Sequence, residues 1–389
     1  MRWRRRSGRQ SSSGCRSPKP RAQRWICQNR RSGDRVSLPD GIEADRFLDC
    51  PHPREQADLF GHAAAETAFL DAFRSGRLHH AWLIGGPQGI GKATFAYRAA
   101  RFLLANPDPS APAVVRAVDL RVDPDNPVAR KVAALSHPDL VVLRRTPGTD
   151  KKGPSASIPI DAVRRALAVF GTTAGAGGYR VAIVDSVEDL NAASANALLK
   201  VVEEPPPRSV FLIVAHAPGR TMATLRSRCR KMIMRPLGPD DVAAVLAKLD
   251  AHSDSTAVRQ AAAMADGSVR TALRLIDPDV SALVERVRRM LARLPDEDVS
   301  DLYGLADQLS GRADDERFAT FLTTVGDWIG ERVHTEAAAG ASRLAPLVEV
   351  WDKGLRAARD VQVLNLDRRP FVFSLIGDLA EAVRRSSAA

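Results

Sequence analysis

The stretch best equipped for chemistry is Gly86-Pro-Gln-Gly-Ile-Gly-Lys92. Gly86, Gly89 and Gly91 would let backbone N–H groups turn inward around phosphate oxygens, in conformations that a Cβ blocks. Lys92 adds a full positive charge where a helix begins, and the backbone dipoles already favour an anion there. The spacing is that of a phosphate-binding loop, G-x-x-x-x-G-K-[ST], up to its last position. At that position Ala93 replaces the hydroxyl that should ligate Mg²⁺. Thr94 comes one residue late, rotated by about 100° around the helix. ATP or ADP is thus a possible ligand of Gly86, Gly89, Gly91, Lys92, Ala93 and Thr94, while the case for Mg²⁺ is weak.

Two further motifs bear on that loop. Tyr179-Arg-Val-Ala-Ile-Val-Asp185 is an apolar run ending in a carboxylate, the way P-loop ATPases place an acid beside the metal. In the active enzymes a glutamate follows at once and polarises the attacking water. Here Ser186 follows, and Glu188 stands too far along to point the same way. Thr224-Leu-Arg-Ser-Arg-Cys-Arg230 puts three arginines within five residues, which alone reads either as a solvated basic face or as a site.

The elements that must position these motifs alternate between strand and helix. Ala81–Ile84 reads as a short buried strand, and Phe95, Ala99, Phe102 and Leu103 recur at helical spacing after Lys92. Before them, a helix over Ala63–Ser75 ends at Gly76. After them, residues 106–137 are rich in Pro and Asp and read as an insertion. Leu140–Leu143 is the next strand, Ile160–Phe170 an amphipathic helix, and Ala193–Glu204 a helix stopped by Pro205, Pro206 and Pro207. Ser209–Val214 and Lys231–Met234 are strand-like. From Pro236 onward every periodic segment is helical.

Composition narrows the class. The 389 residues suffice for two or three domains, and 44% hydrophobic with 26% charged residues is ordinary for a water-soluble protein. No run approaches the ~18 apolar residues of a membrane span. Cys15, Cys27, Cys50 and Cys229 are scattered without C-x-x-C spacing. That argues against a disulfide framework or a zinc site and suits a reducing cytoplasm. The net charge of +11 lies wholly in residues 1–36, which hold twelve Lys/Arg against Asp34 alone, so the body of the chain is neutral. This arm has no periodicity and reads as disordered. It has no apolar core of a secretory signal, and it fits either a basic extension or a misassigned translation start.

Taken together, Gly86-Pro-Gln-Gly-Ile-Gly-Lys92, Asn196-Ala-Leu-Leu-Lys200 with Glu203-Glu-Pro205, and Ser227-Arg-Cys229 resemble the clamp-loader branch of the AAA+ ATPases. The resemblance covers about residues 50–280 and, more weakly, the helical remainder. It implies an α/β P-loop AAA+ domain with a parallel five-stranded sheet, then a small helical lid and an all-α collar used in oligomerisation. The boundaries expected are 1–45 for the basic extension, 46–236 for the P-loop domain, 237–279 for the lid and 280–389 for the collar.

The resemblance also implies partners. They are tau/gamma motor subunits and a delta subunit in a hetero-pentameric ring, with the sliding clamp and primer-template DNA reached through that ring. By this resemblance Arg228 is a trans arginine finger for the neighbouring motor, and Arg270 a second-sensor arginine beside nucleotide in its own subunit, with Asp185 completing the nucleotide-binding set. The first-sensor position falls at Ala215 or His216, without the usual polar residue. The losses at Ala93 and Ser186 point to a ring subunit that does not hydrolyse ATP. The absence of the four-cysteine module leaves no zinc expected, and no membrane role is expected either. Two other readings stay open: a true ATPase motor retaining Lys92 and Asp185, and a nucleic-acid binder led by the basic arm.

Overall fold

The computed structural model describes residues 47, 50–146, 155, 157–168, 170, 178–249, 254–311, 315–336 and 341–388. The basic extension lies outside the described residues apart from its junction with the body. The chain divides into two compact units. One holds the described residues up to Asp58 with Glu66–Ile84 and Ala93–Met232; the other holds Leu59–Ala65, Gly85–Lys92 and Ile233–Ala389.

The first unit is built on a five-stranded sheet. Its strands are β1 (Ala81–Gly85), β2 (Leu140–Arg144), β3 (Arg180–Asp185), β4 (Ser209–Ala215) and β5 (Arg230–Ile233), in spatial order β2-β3-β4-β1-β5. The pairings β2–β3 and β3–β4 are parallel, in registers that include Val142 beside Ile183 and Ala182 beside Phe211. Burial explains the sequence pattern. The inner strands β1, β3 and β4 are covered on both faces and are buried at every position, hence their unbroken apolar runs. The edge strand β2 alternates half-buried and buried positions, and β5 buries only Met232.

Helices α1 (Ala63–Arg74), α2 (Lys92–Ala105), α3 (Pro112–Arg116), α4 (Pro127–Ala133), α5 (Ile160–Ala168), α6 (Ala192–Glu203) and α7 (Ala223–Arg228) surround this sheet in the chain. Gly76 takes a φ of 66° just past α1, the left-handed stop expected there. The insertion at 106–137 contributes α3 and α4, each opened by a proline in its first turn. Periodicity does not announce α7. Its six residues are too few to show a face, and it lies inside the arginine-rich stretch.

The second unit holds two helical clusters. Helices α8 (Pro239–Leu249), α9 (Ser255–Met264) and α10 (Val269–Leu275) share a small core of Val242, Leu246, Ala261, Ala262 and Leu275. Helices α11 (Pro278–Ala292), α12 (Val299–Gln308), α13 (Asp315–Glu336), α14 (Ala341–Val363) and α15 (Arg368–Ala388) enclose a larger one around Leu291, Phe318, Phe321, Leu347 and Ile376. α14 runs along α15, and α11 packs on α13. Among the described residues no helix is long and apolar enough to cross a membrane.

Within the first unit, buried arginines hold the segment that precedes α1. On α2, Arg98 Nε lies 2.7 Å from the Glu66 carboxylate of α1, both almost wholly buried, and its Nη1 donates to the Ala57 carbonyl. Arg101 donates to the Gln56 carbonyl; burial first, and the Arg98 charge second, push its guanidinium down to about 10. From the segment itself, Arg54 Nε donates to the Ala133 carbonyl at 2.9 Å. Removing one partner of a buried ion pair leaves an uncompensated charge, at a cost of about 3–5 kcal/mol. Arg98→Ala should therefore lower the first thermal unfolding transition of the full chain by many degrees, read by circular dichroism. A shift no larger than that of the exposed Arg116→Ala would show that the pair does not hold this segment.

Candidate functional site: a phosphate-binding loop and an exposed arginine

The loop between β1 and α2 has the backbone its glycines suggest. Gly86, Gly89 and Gly91 take φ of 147°, 81° and 100°, in the left-handed half of backbone space that favours glycine. Gly86 also has no room for a side chain, since a Cβ there would sit 2.4 Å from the Met234 carbonyl oxygen. Lys92 opens α2 with its stem buried, and its ammonium donates back to the Pro87 carbonyl of the same loop. Ala93 and Thr94 follow in the first turn of the helix.

Three groups from elsewhere in the second unit hold this loop by its carbonyls. His62 Nε2–H donates to the Ile90 carbonyl at 2.7 Å, which fixes its tautomer. Ser268 Oγ donates to the Gln88 carbonyl at 2.9 Å while accepting the Thr271 N–H at 3.2 Å, so one hydroxyl caps α10 and fastens the loop. Next to it, the Val269 N–H donates to the Gly89 carbonyl at 3.0 Å. A Cβ on Gly89 would meet Ser268 Oγ at 2.4 Å and Arg270 Cβ at 2.6 Å. Arg270 thus reaches the glycine loop by its own backbone. The bond from Ser268 to the loop joins residues 180 apart, which local spacing does not foresee.

Asp185 ends β3 and is buried, paired in register with Arg144 of β2. A single helical turn, Val187–Asp189, follows it. That turn sends Glu188 away from the position of a water-polarising acid. Its Oε1 accepts the N–H groups of both His216 and Ala217, each at 2.7 Å, where the chain leaves β4. His216 and Ala217 are therefore joined to Glu188 by their main chain.

Arg228 is the last residue of α7. Cys229 behind it is buried in the core shared by Leu198 and Val202 of α6 and Leu225 of α7, which turns the arginine outward. Its Nη2 lies 3.0 Å from Glu203 Oε1 at the end of α6, with the two side chains 41% and 39% exposed. Its Nη1 donates to the Thr224 carbonyl at 3.0 Å. The Glu203–Arg228 pairing is not foreseen by spacing, because 25 residues separate the partners.

As a binding site the loop fits a phosphate. It offers three left-handed glycines, a helix N-terminus, a buried ammonium and the adjoining Arg270. The same site lacks a hydroxyl at Ala93 for a divalent cation. Strand order and loop together define an AAA+ P-loop protein, with the loop following a strand whose neighbours come from distant parts of the sequence. Residues 61–238 match the family described as "DNA polymerase III, delta subunit". DNA polymerase III subunit delta' of Pseudomonas aeruginosa is 32% identical over 216 residues, which are 54% of this chain and 61% of that protein. Subunit delta' of Escherichia coli K12 is 30% identical over 208 residues, 54% of this chain and 58% of that one. Subunit tau of Salmonella typhimurium is 28% identical over 306 residues, 77% of this chain and 43% of that one. Over this part the chain is similar to the delta' and tau subunits of DNA polymerase III. It spans about three fifths of the length of the two delta' relatives.

The core position of Cys229 makes a chemical prediction. Burial pushes its thiol up to about 11, so below that pH it stays protonated and unreactive. Iodoacetamide at pH 8 should modify Cys50, which is half-buried, well before Cys229, with Cys229 labelled only on unfolding. Peptide mass mapping reads the order, and equal rates at the two sites would contradict the buried anchor.

Proposed function

We propose that this chain is the delta' subunit of the clamp loader, a ring subunit that binds phosphate without cleaving it. In this reading it joins tau/gamma motors and a delta subunit in a cytoplasmic hetero-pentamer. That ring opens the sliding clamp and sets it on primer-template DNA. Gly86, Gly89, Gly91, Lys92, Ala93 and Thr94 cradle ATP or ADP, with Asp185 and Arg270 at the margins of the site. Arg228 reaches out of its own subunit to the ATP of the neighbouring motor. Polymerase chemistry belongs to the holoenzyme, not to this chain.

The observation that carries the reading is the engagement of Glu188. An acid whose Oε1 accepts two backbone N–H groups is turned toward the main chain, so it is not placed to draw a proton from water. Ala93 removes a metal ligand from the same apparatus. By contrast Arg228 lies on an exposed helix end, and a guanidinium is permanently charged and suited to a phosphate oxygen in a closed interface. Two of the relatives cited, at 32% and 30% identity, carry the delta' name.

The alternative is a tau/gamma-type motor. It is favoured by the retained Lys92 and Asp185 and by the similarity to tau over 77% of the chain. The two separate cleanly in an ATPase assay. The purified chain alone should show no turnover, whereas steady hydrolysis abolished by Lys92→Ala would establish the motor. In the reconstituted ring, Arg228→Ala should reduce ATP turnover at least ~5-fold with assembly intact. Losses of about 10³–10⁵ follow removal of the finger where one site acts alone, and the ring holds several sites. Unchanged turnover would end the trans-arginine reading.

A further inference from the structure

The end of α6 carries an unexplained choice of residues. Glu203 is its last residue and Glu204 its C-cap, so two acids stand where the helix dipole is negative and a cation is preferred. Glu203 has its carboxylate 3.0 Å from Arg228 Nη2, across from α7. The backbones that bring them together are fixed independently of the pair, because Leu198, Val202, Leu225 and Cys229 share one core. Both side chains are well over a third exposed, and an ion pair so exposed adds little to stability. Its placement calls for another reason than holding the fold.

We propose that Glu203 is a positioning residue that pre-orients Arg228 for an outside phosphate. This rests on the trans-arginine reading above and adds a second residue to it. A guanidinium has five N–H donors in a rigid fork. Here Nη1 is taken by the Thr224 carbonyl at 3.0 Å and lies 3.5 Å from Ser227 Oγ, while Nη2 is ion-paired with Glu203 at 3.0 Å. Nε–H makes no hydrogen bond to a described residue, and the side chain is 41% exposed. A long exposed side chain otherwise loses rotamer freedom when it docks, and tethering it beforehand reduces that loss. The tether is an ion pair, so it needs the carboxylate charge.

That last point gives the test. In the clamp loader reconstituted with motor and delta subunits, Glu203→Ala should lower the kcat of ATP hydrolysis about 3–10-fold, with KM for ATP within about 2-fold. Glu203→Gln keeps the shape of the side chain but removes its charge, and should lower kcat as Glu203→Ala does. Glu203→Ala should add nothing in an Arg228→Ala background, since the two act through one guanidinium. Thermal unfolding of each variant chain should stay at the parent value, which separates positioning from misfolding. If Arg228→Ala is severe while Glu203→Ala is silent, or if the two losses multiply, the tether is overturned and the trans arginine stands. If Glu203→Gln keeps the parent kcat while Glu203→Ala loses it, the ion-pair tether is overturned. If Arg228→Ala is itself silent, both readings fall.

Discussion

The grip of three hydrogen-bond donors on the carbonyls of the glycine loop is the constraint on which the rest of the site depends. A loop with three left-handed glycines has many conformations to lose, and glycine loses more freedom on folding than any other residue. His62, Ser268 and the Val269 N–H each take one carbonyl of Gln88, Gly89 or Ile90 and so turn those carbonyls outward. Gly89 must be glycine for this arrangement, because Ser268 and Arg270 come too close for a Cβ. The same contact that shapes the loop therefore delivers Arg270 to it.

In the function proposed above, the chain keeps the groups that would bind phosphate and redirects those that would cleave it. Lys92 remains and points inward at the loop, whereas the next side chain is a methyl group. Asp185 remains at its strand end, whereas the acid beyond it has become a structural acceptor for His216 and Ala217. Arg228 is separated from this economy of the loop. It stands at the end of a different helix, raised from the core by Cys229 and steadied by Glu203.

Much of this was legible in the sequence, for physical reasons. The inner strands are covered on both faces and announce themselves as apolar runs such as Val210–Ala215. The loop is legible because glycine and lysine are needed at fixed offsets. Helix ends written by special residues, Gly76 and Pro205 to Pro207, fall within a residue or two of the expected positions. Interactions between distant segments are a different matter. The short helix α7, the bond of Ser268 to Gln88 and the pairing of Glu203 with Arg228 leave no periodic trace. Each depends on where two elements meet, and local residue types do not encode that. Glu188 illustrates the boundary: its distance from Asp185 shows that it is misplaced for one task, but not which task it performs.

Glu188 has one more effect. A single carboxylate oxygen shared by two main-chain amides works as a rivet between the turn after β3 and the exit of β4. The two neighbouring strand ends are thereby obliged to shift as one piece. The link from the turn after Asp185 to His216 thus runs through a main-chain amide.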